Sequence, residues 1–157
     1  MSKMSNKASD LSPLKAHLGY WLRAVSNQVS HAFARKLEAR GVSVAEWVMM
    51  RELYETDGLA PSHLAMELGM TKGAITKLAD RLIEKSLITR HIRTDDRRAQ
   101  TLALTPTGRK LVPALAALAD ENDAAFFGHL SAAEQTRLRA MLQAIVQHHG
   151  FKNIPVD

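Results

Sequence analysis

The sequence contains no cysteine, which excludes disulfide bonds and any switch based on thiol oxidation. Aromatic residues are scarce, at 5% of the chain, and no apolar run approaches the roughly 18 residues needed to cross a bilayer. The first ten residues, MSKMSNKASD, are polar and lack the apolar segment of a signal peptide. We therefore expect a chain without a membrane partner, located in the cytoplasm.

Patterns that support catalysis or metal binding are missing as well. There is no Gly-rich phosphate loop, and no Ser, His and Asp set of the kind used by hydrolases. The seven histidines show no clustered ligand spacing with carboxylates, and the adjacent His148 and His149 would diverge by about a quarter turn or more on a helix. We expect no enzyme activity, no cofactor and no bound metal.

The charge that is present is unevenly distributed. The chain has 157 residues and a net charge of +5, and 46% of its residues are apolar, which indicates one mostly helical globular domain. Residues 71–98 hold eight Lys and Arg against four Asp and Glu, whereas residues 109–150 hold four of each sign. A positive charge concentrated on one stretch is what phosphate binding predicts.

That basic stretch begins with a helix-turn-helix pattern. Two short amphipathic segments are separated by Gly69, and Thr71 is suited to be the N-cap of the second. Apolar residues at spacings of three and four give this second helix one buried face. The opposite face is either a solvated surface or, with the turn and wing around it, a major-groove reader. The candidate contacts are Thr71, Lys72, Gly73, Ala74, Thr76, Lys77 and Arg81, with Lys85 beyond them as a candidate phosphate contact.

Residues 87–105 predict a β-hairpin, or wing, because two strand-like runs flank the polar turn TDDRR. Ile88 and Ile92 share one parity and are expected to be buried together. The wing candidates for DNA contact are Arg90, Arg93, Asp96, Arg97 and Arg98. Arg97 or Arg98 suits a narrow minor groove, and Asp96 is expected to brace Arg98.

Long helices are predicted on both sides of this region. An apolar stripe from Leu14 to Leu37 indicates one helix of more than six turns, ending near Gly41. Thr105-Pro106 is a strong helix start, and Ser43 with Glu46 and Ser131 with Glu134 have capping-box spacing. These stripes exceed what one small lobe can cover, so we expect a homodimer.

Two motifs resemble those of the MarR (multiple antibiotic resistance regulator) family. Asp96-x-Arg98 followed by Leu104-Thr105-x-x-Gly108 resembles its wing signature, and the segment from Thr71 to Leu82 resembles its recognition helix. Glu46 stands where a Gln is more usual. The resemblance implies a mainly α fold with a small β-hairpin wing. It implies one domain over 1–157, with dimerisation helices at 11–40 and 106–150 and a winged helix-turn-helix lobe at 43–105.

The same resemblance implies a ligand-responsive repressor that binds a pseudo-palindromic operator in double-stranded DNA. It also implies a cavity for a small aromatic or anionic effector. His17, Trp21, Trp47 and Met50 are the candidate lining, although Trp21, Trp47 and Met50 equally suit a core. A sequence-indifferent architectural DNA protein and a winged-helix protein-interaction module remain open as alternatives. The sequence does not separate repressor from activator.

Overall fold

The computed structural model describes residues 10–92 and 99–151, and in these residues six α-helices surround one two-stranded antiparallel sheet. The elements are α1 (Leu18–Glu38), α2 (Val44–Tyr54), α3 (Pro61–Leu68), α4 (Lys72–Glu84), β1 (Ile88–Ile92), β2 (Gln100–Leu104), α5 (Pro106–Phe127) and α6 (Ala132–His149). The predicted mainly helical fold with a β-hairpin wing is confirmed. None of the helices in the described ranges is long and apolar enough to span a membrane.

The N-terminal helix is shorter than its apolar stripe predicts. Residues Leu14–Ala16 form a short 3₁₀ turn, and α1 begins only after His17, whose ψ of 128° is extended. The Trp21 indole donates a hydrogen bond to the Lys15 carbonyl at 2.7 Å, so a side chain occupies an acceptor that a continuous helix would use. The prediction of one unbroken helix from Leu14 was therefore wrong by about one turn.

The predicted caps fix where the helices begin. The Ser43 hydroxyl accepts from the Glu46 N–H at 3.1 Å, and the Glu46 carboxylate accepts from the Ser43 N–H at 3.3 Å, which completes a capping box on α2. A second box joins Ser131 and Glu134 on α6. The hydrogen bond from the Ser131 backbone holds the pKa of Glu134 below its ordinary value of 4.5, and the Ser131 side chain and His129 lower this pKa further.

A single hydrophobic core joins the lobe to the first half of α5. The wing closes onto this core, with Ile88 opposite Leu104 and Arg90 opposite Leu102 in the antiparallel register. Leu59 adds a short bridge to Leu102. The fully buried large side chains are Leu37, Met49, Met50, Leu53, Leu64, Ile75, Leu82, Ile88, Leu102, Val112 and Leu115. Burial of this size is the main stabilising contribution to the lobe.

Arg109 of α5 holds the C-terminal end of α2. Its guanidinium donates to the Tyr54 carbonyl at 2.8 Å and to the Thr56 carbonyl at 3.1 Å. The same guanidinium lies over the Tyr54 ring, 5.4 Å from its centroid. Carbonyls at a helix C-terminus have no partners within the helix, so a cation from another element satisfies them and complements the helix dipole.

The two outer helices leave apolar side chains uncovered. Leu37 is the only buried residue of α1, and α6 has none. The exposed large apolar residues of these two helices are Leu18, Trp21, Leu22, Val25, Met141, Leu142, Ile145 and Val146. Within the chain, α1 packs along α5, and Asn122 of α5 is buried there and donates to the Val29 carbonyl at 3.2 Å. A chain of this size seldom exposes so many large apolar side chains along two helices without a partner.

Candidate nucleic-acid interface

The turn between α3 and α4 presents the N-terminus of α4 to solvent. Gly69 adopts a left-handed conformation with φ of 64°, which ends α3 and lets the Met70 N–H reach the Ala65 carbonyl at 2.9 Å. The Thr71 hydroxyl then accepts from the Ala74 N–H at 3.1 Å, as predicted for an N-cap. The first turn of α4 is therefore held in place by its own side chains.

Helix α4 has one buried and one exposed face. Ile75, Leu78, Ala79 and Leu82 are buried in the core. The seven predicted major-groove residues lie at the N-cap or on the solvent side of α4, where Ala74 is half-buried and the other six are exposed. The structure thus brings this predicted set together as one surface, which we call the reading face (Thr71, Lys72, Gly73, Ala74, Thr76, Lys77 and Arg81). Its contact with DNA remains a prediction.

Thr76 is already committed to one hydrogen bond on this face. Its hydroxyl donates to the Lys72 carbonyl one turn earlier, at 2.9 Å. The Thr76 oxygen can therefore still accept a hydrogen bond, but its proton is occupied. A base edge that approaches Thr76 would meet a methyl group and an acceptor, and a thymine methyl or an amino group fits such a surface.

An ion pair connects α4 to the wing. Arg90 of β1 donates to the Asp80 carboxylate at 2.8 Å. Arg90 was expected to stay in solvent or meet phosphate, but its side chain is 29% exposed, because it shares the inner face of β1 with Ile88. The pair neutralises an acidic group on a surface proposed to approach phosphates, and it joins the wing to α4.

The outer part of the wing differs from the expected burial. Ile92 is 54% exposed, so the prediction that it shares the buried face of Ile88 was wrong. The reason is its position, since its cross-strand partner Gln100 lies at the far end of the hairpin from the core. Arg93, Asp96, Arg97 and Arg98 lie outside the described residues, so their predicted roles in the minor groove and in bracing the wing remain predictions.

The base of the wing is joined to α5 by the second half of the predicted motif. The Thr105 hydroxyl accepts from the Gly108 N–H at 3.0 Å and donates to the Ser86 carbonyl at 2.8 Å. The Thr105 N–H donates to the Leu87 carbonyl at 3.0 Å. A Cβ at Gly108 would overlap the Leu87 carbonyl oxygen, so this close approach requires glycine. The Leu104-Thr105-x-x-Gly108 pattern is thus a joint between wing and helix.

An open groove of about 790 Å³ runs between α4 and the wing. Lys72 and Thr76 line it from the helix, and Arg90 and Gln100 line it from the strands. Its lining is mixed, since Asp80 and several apolar side chains, among them Ile75 and Leu102, face it as well.

Lys85 is not part of the reading face. Its ammonium donates to the Glu46 carboxylate at 2.7 Å and to the Gly41 carbonyl at 2.8 Å, on the side of α4 that meets the turn between α1 and α2. The interpretation of Lys85 as a phosphate contact does not match this geometry. Sequence reasoning missed the contact because the partners are 39 and 44 residues away along the chain.

The four candidate effector residues are not gathered in one place within the chain. His17 and Trp21 are exposed at the start of α1, whereas Met50 is fully buried in the core. Trp47 packs edge-on against Phe33, with ring centroids 6.5 Å apart. Phe33 lies twelve residues after Trp21 on the same helix. The backbone of Trp21 is therefore about 18 Å along the helix axis from that of Phe33, the residue that Trp47 contacts.

The fold and the reading face together define a winged helix-turn-helix protein of the kind that reads duplex DNA. Residues 42–99 match the sequence model of the MarR family. It is 29% identical over 133 residues to a putative transcriptional regulatory protein for the hcr operon of Thauera aromatica, covering 84% of this chain and 80% of the relative.

Two solved structures show the same fold. The first is the MepR–DNA complex of S. aureus, with a TM-score of 0.75 and 27% identity over 84% of this chain and 98% of that one. The second is CouR from Rhodococcus jostii RHA1 bound to p-coumaroyl-CoA, with a TM-score of 0.72 and 26% identity over 86% of this chain and 95% of that one. Both alignments cover nearly the whole of the solved chains, so the likeness includes the outer helices as well as the lobe.

Proposed function

We propose that this chain is a sequence-specific transcriptional repressor that binds a pseudo-palindromic operator in double-stranded DNA as a homodimer. The observation that carries the proposal is the exposed reading face at the capped N-terminus of α4. Two small residues, Gly73 and Ala74, let the backbone approach base edges, while Lys72, Lys77 and Arg81 supply positive charge for phosphates. The MepR–DNA complex supports this use of the fold.

The proposed DNA complex uses two elements of each lobe. The N-terminal half of α4 enters the major groove, and the wing residues Arg97 or Arg98 enter the adjacent minor groove. The Asp80–Arg90 pair supports this arrangement, because it joins the wing to α4. The proposed role of the chain is binding rather than catalysis, and the cytoplasm, where it would meet DNA, is the proposed location.

The homodimer is proposed from the uncovered apolar faces of α1 and α6. Leu18 of α1 is 87% exposed and Met141 of α6 is 59% exposed. A second copy can cover these faces and place two reading helices with two-fold symmetry. Light scattering at micromolar concentration should then give about twice the chain mass of 17.4 kDa. A stable, folded monomer under those conditions would exclude the dimer.

We also propose a small aromatic, anionic effector that lowers DNA affinity. His17 is exposed next to the apolar face of α1 and Trp21 is part of that face, and the CouR structure with p-coumaroyl-CoA supports an aromatic ligand in a protein of this fold. An effector acts only through its different affinities for the two conformations. The test is to titrate aromatic acids into the DNA complex of Trp21→Phe and Trp47→Phe variants while recording tryptophan emission. Release of DNA with no emission change in either variant would place the effector elsewhere.

The experiment that tests the main proposal is selection of bound sequences from a random duplex pool at physiological salt. Repressor function predicts enrichment of a pseudo-palindrome whose half-sites are about 34 Å apart or a multiple of that. An architectural DNA protein would bind with a similar salt dependence but would enrich no sequence. A protein-interaction module would retain little DNA at all. A reporter with the selected site overlapping its promoter then separates repression from activation.

A further inference from the structure

Lys85 lies at a junction of three elements that meet behind the reading face. It is the C-cap residue of α4, directly after Glu84. Its ammonium donates to the carbonyl of Gly41, in the turn that follows α1, and to a carboxylate oxygen of Glu46 in the first turn of α2. The other Glu46 oxygen accepts from the Ser43 N–H. We call these four residues, Gly41, Ser43, Glu46 and Lys85, the junction.

The Glu46 carboxylate makes this junction costly to break. The Glu46 side chain is only 5% exposed, while that of Lys85 is 39% exposed. A carboxylate removed from water needs a charged partner and hydrogen bonds, and here it has one of each, from Lys85 and from Ser43. If the ammonium left to contact a phosphate, the buried Glu46 would lose its only cation among the described residues. Lys85 is therefore held in place when DNA arrives.

The junction and the reading face lie at opposite ends of α4, so a small tilt of the helix at the junction displaces the reading face. Helix α4 has thirteen residues, so its N-terminal turn lies about 18 Å from Lys85. A tilt of about 10° around the C-cap would move the reading face by about 3 Å, close to the rise of about 3.4 Å per base pair. On the other side of the junction, the Gly41 turn ends α1, the helix whose apolar face is proposed to meet the second chain.

We propose that Lys85 and Glu46 are positioning residues for DNA recognition, which set the angle of α4 relative to α1. In a homodimer this angle determines the distance between the two reading faces, and hence the preferred half-site spacing. The inference rests on the proposed function, because only a reader of two half-sites has a spacing to set. In this proposal Lys85 holds α4 at its angle and does not bind phosphate.

Three variants separate these roles. Lys85→Met keeps the length of the apolar stem but removes the ammonium. Glu46→Gln keeps an oxygen for the Ser43 N–H and removes the negative charge, so it is the milder disruption if Lys85→Met fails to fold. Lys77→Met, on the exposed face of the same helix, is the matched control for a cation that contacts phosphate. Each is studied as the full chain, after thermal unfolding has shown that it is folded.

The measurement is affinity for duplexes that carry the selected half-sites at several spacings, repeated over a range of salt. Positioning predicts that Lys85→Met binds the preferred spacing about tenfold more weakly, because the two reading faces are no longer held at the matching distance. Its preference among spacings should broaden or shift, while its salt slope stays that of the unaltered chain. Lys77→Met should lower the salt slope by about one and leave the spacing preference unchanged.

Glu46→Gln gives the sharpest distinction, because an effect of charge and an effect of positioning predict opposite changes in DNA affinity. If charge near DNA governed affinity, removing a carboxylate would strengthen binding at every spacing. Positioning predicts weaker binding and a broadened spacing preference. An unchanged spacing preference in both junction variants overturns the inference, whether they bind normally, melt earlier or lose salt dependence. If the unaltered chain selects no sequence, the proposed function itself has failed, and that result precedes any comparison of variants.

Discussion

Gly108→Ala should destabilise the protein even though alanine is the better helix former. A Cβ at this position would overlap the Leu87 carbonyl oxygen and would lie 3.2 Å from Cδ2 of Leu104. Since the first obstacle is backbone, α5 or the turn before β1 must move, and overpacking of this kind costs about 1–3 kcal/mol. The displaced Leu87 carbonyl also accepts from the Thr105 N–H, a bond worth about 1 kcal/mol.

Alanine offsets this by about 1 kcal/mol through helix propensity, so the net loss in the free energy of unfolding should be about 1–3 kcal/mol. Urea unfolding at fixed protein concentration measures it, and each kcal/mol corresponds to about 2–4 °C in Tm for a chain of this size. Gly73→Ala is the matched control, since Gly73 also lies in the first turn of a helix. A Cβ added there would lie 4.0 Å from Thr71 Oγ1, which is an ordinary contact. That variant should gain stability. Equal effects of the two substitutions would refute the steric argument.

Three further outcomes are expected. Contact between the Thr76 methyl and a thymine methyl predicts that Thr76→Val, which keeps a methyl there, binds the selected operator within about threefold of the unaltered chain. Thr76→Ser, which lacks the methyl, should bind about tenfold more weakly; competition binding measures both. Ser86→Gly should raise the free energy of unfolding by about 0.5–1 kcal/mol in urea melts, because Ser86 has a φ of 60° that glycine adopts freely. The Glu134 carboxyl should titrate by NMR with a midpoint below 4.5; its stabilising effect on α6 is full above that pH and is lost as the pH falls through the lowered pKa. A Glu134 midpoint at or above 4.5 would contradict its capping geometry.

Local signals in the sequence were sufficient to predict where these helices begin and which face of α4 is buried. Thr71 and Thr105 cap as predicted, because an N-cap depends on a hydroxyl and an N–H three residues later. The apolar spacing in α4 correctly separated Ile75 and Leu82 from Lys72. These features depend on atoms within about one helical turn of each other, and the residue order alone determines which atoms those are.

Contacts between distant parts of the chain could not be predicted in this way. The pairing of Lys85 with Glu46 depends on how α4 packs against α2, and lysine at a helix end is equally suited to solvent or phosphate. Parity assigned Ile92 to the inner face of the wing but did not show that the core ends before it. Arg90 shares that parity, and only the position of Asp80 explains why a cation occupies it.

The hydrogen bonds from Arg109 to the C-terminal end of α2 affect any attempt to isolate the winged-helix lobe as a fragment. A fragment covering only residues 43–105 would lose the guanidinium that binds the Tyr54 and Thr56 carbonyls, together with the core side chains Val112 and Leu115. The smallest autonomous folding unit should therefore extend past Leu115, and a cut at residue 105 should give a fragment that aggregates or stays unfolded. In this protein the hydrophobic core of the lobe ends partway along α5, so the lobe and the outer part of the chain share one continuous helix.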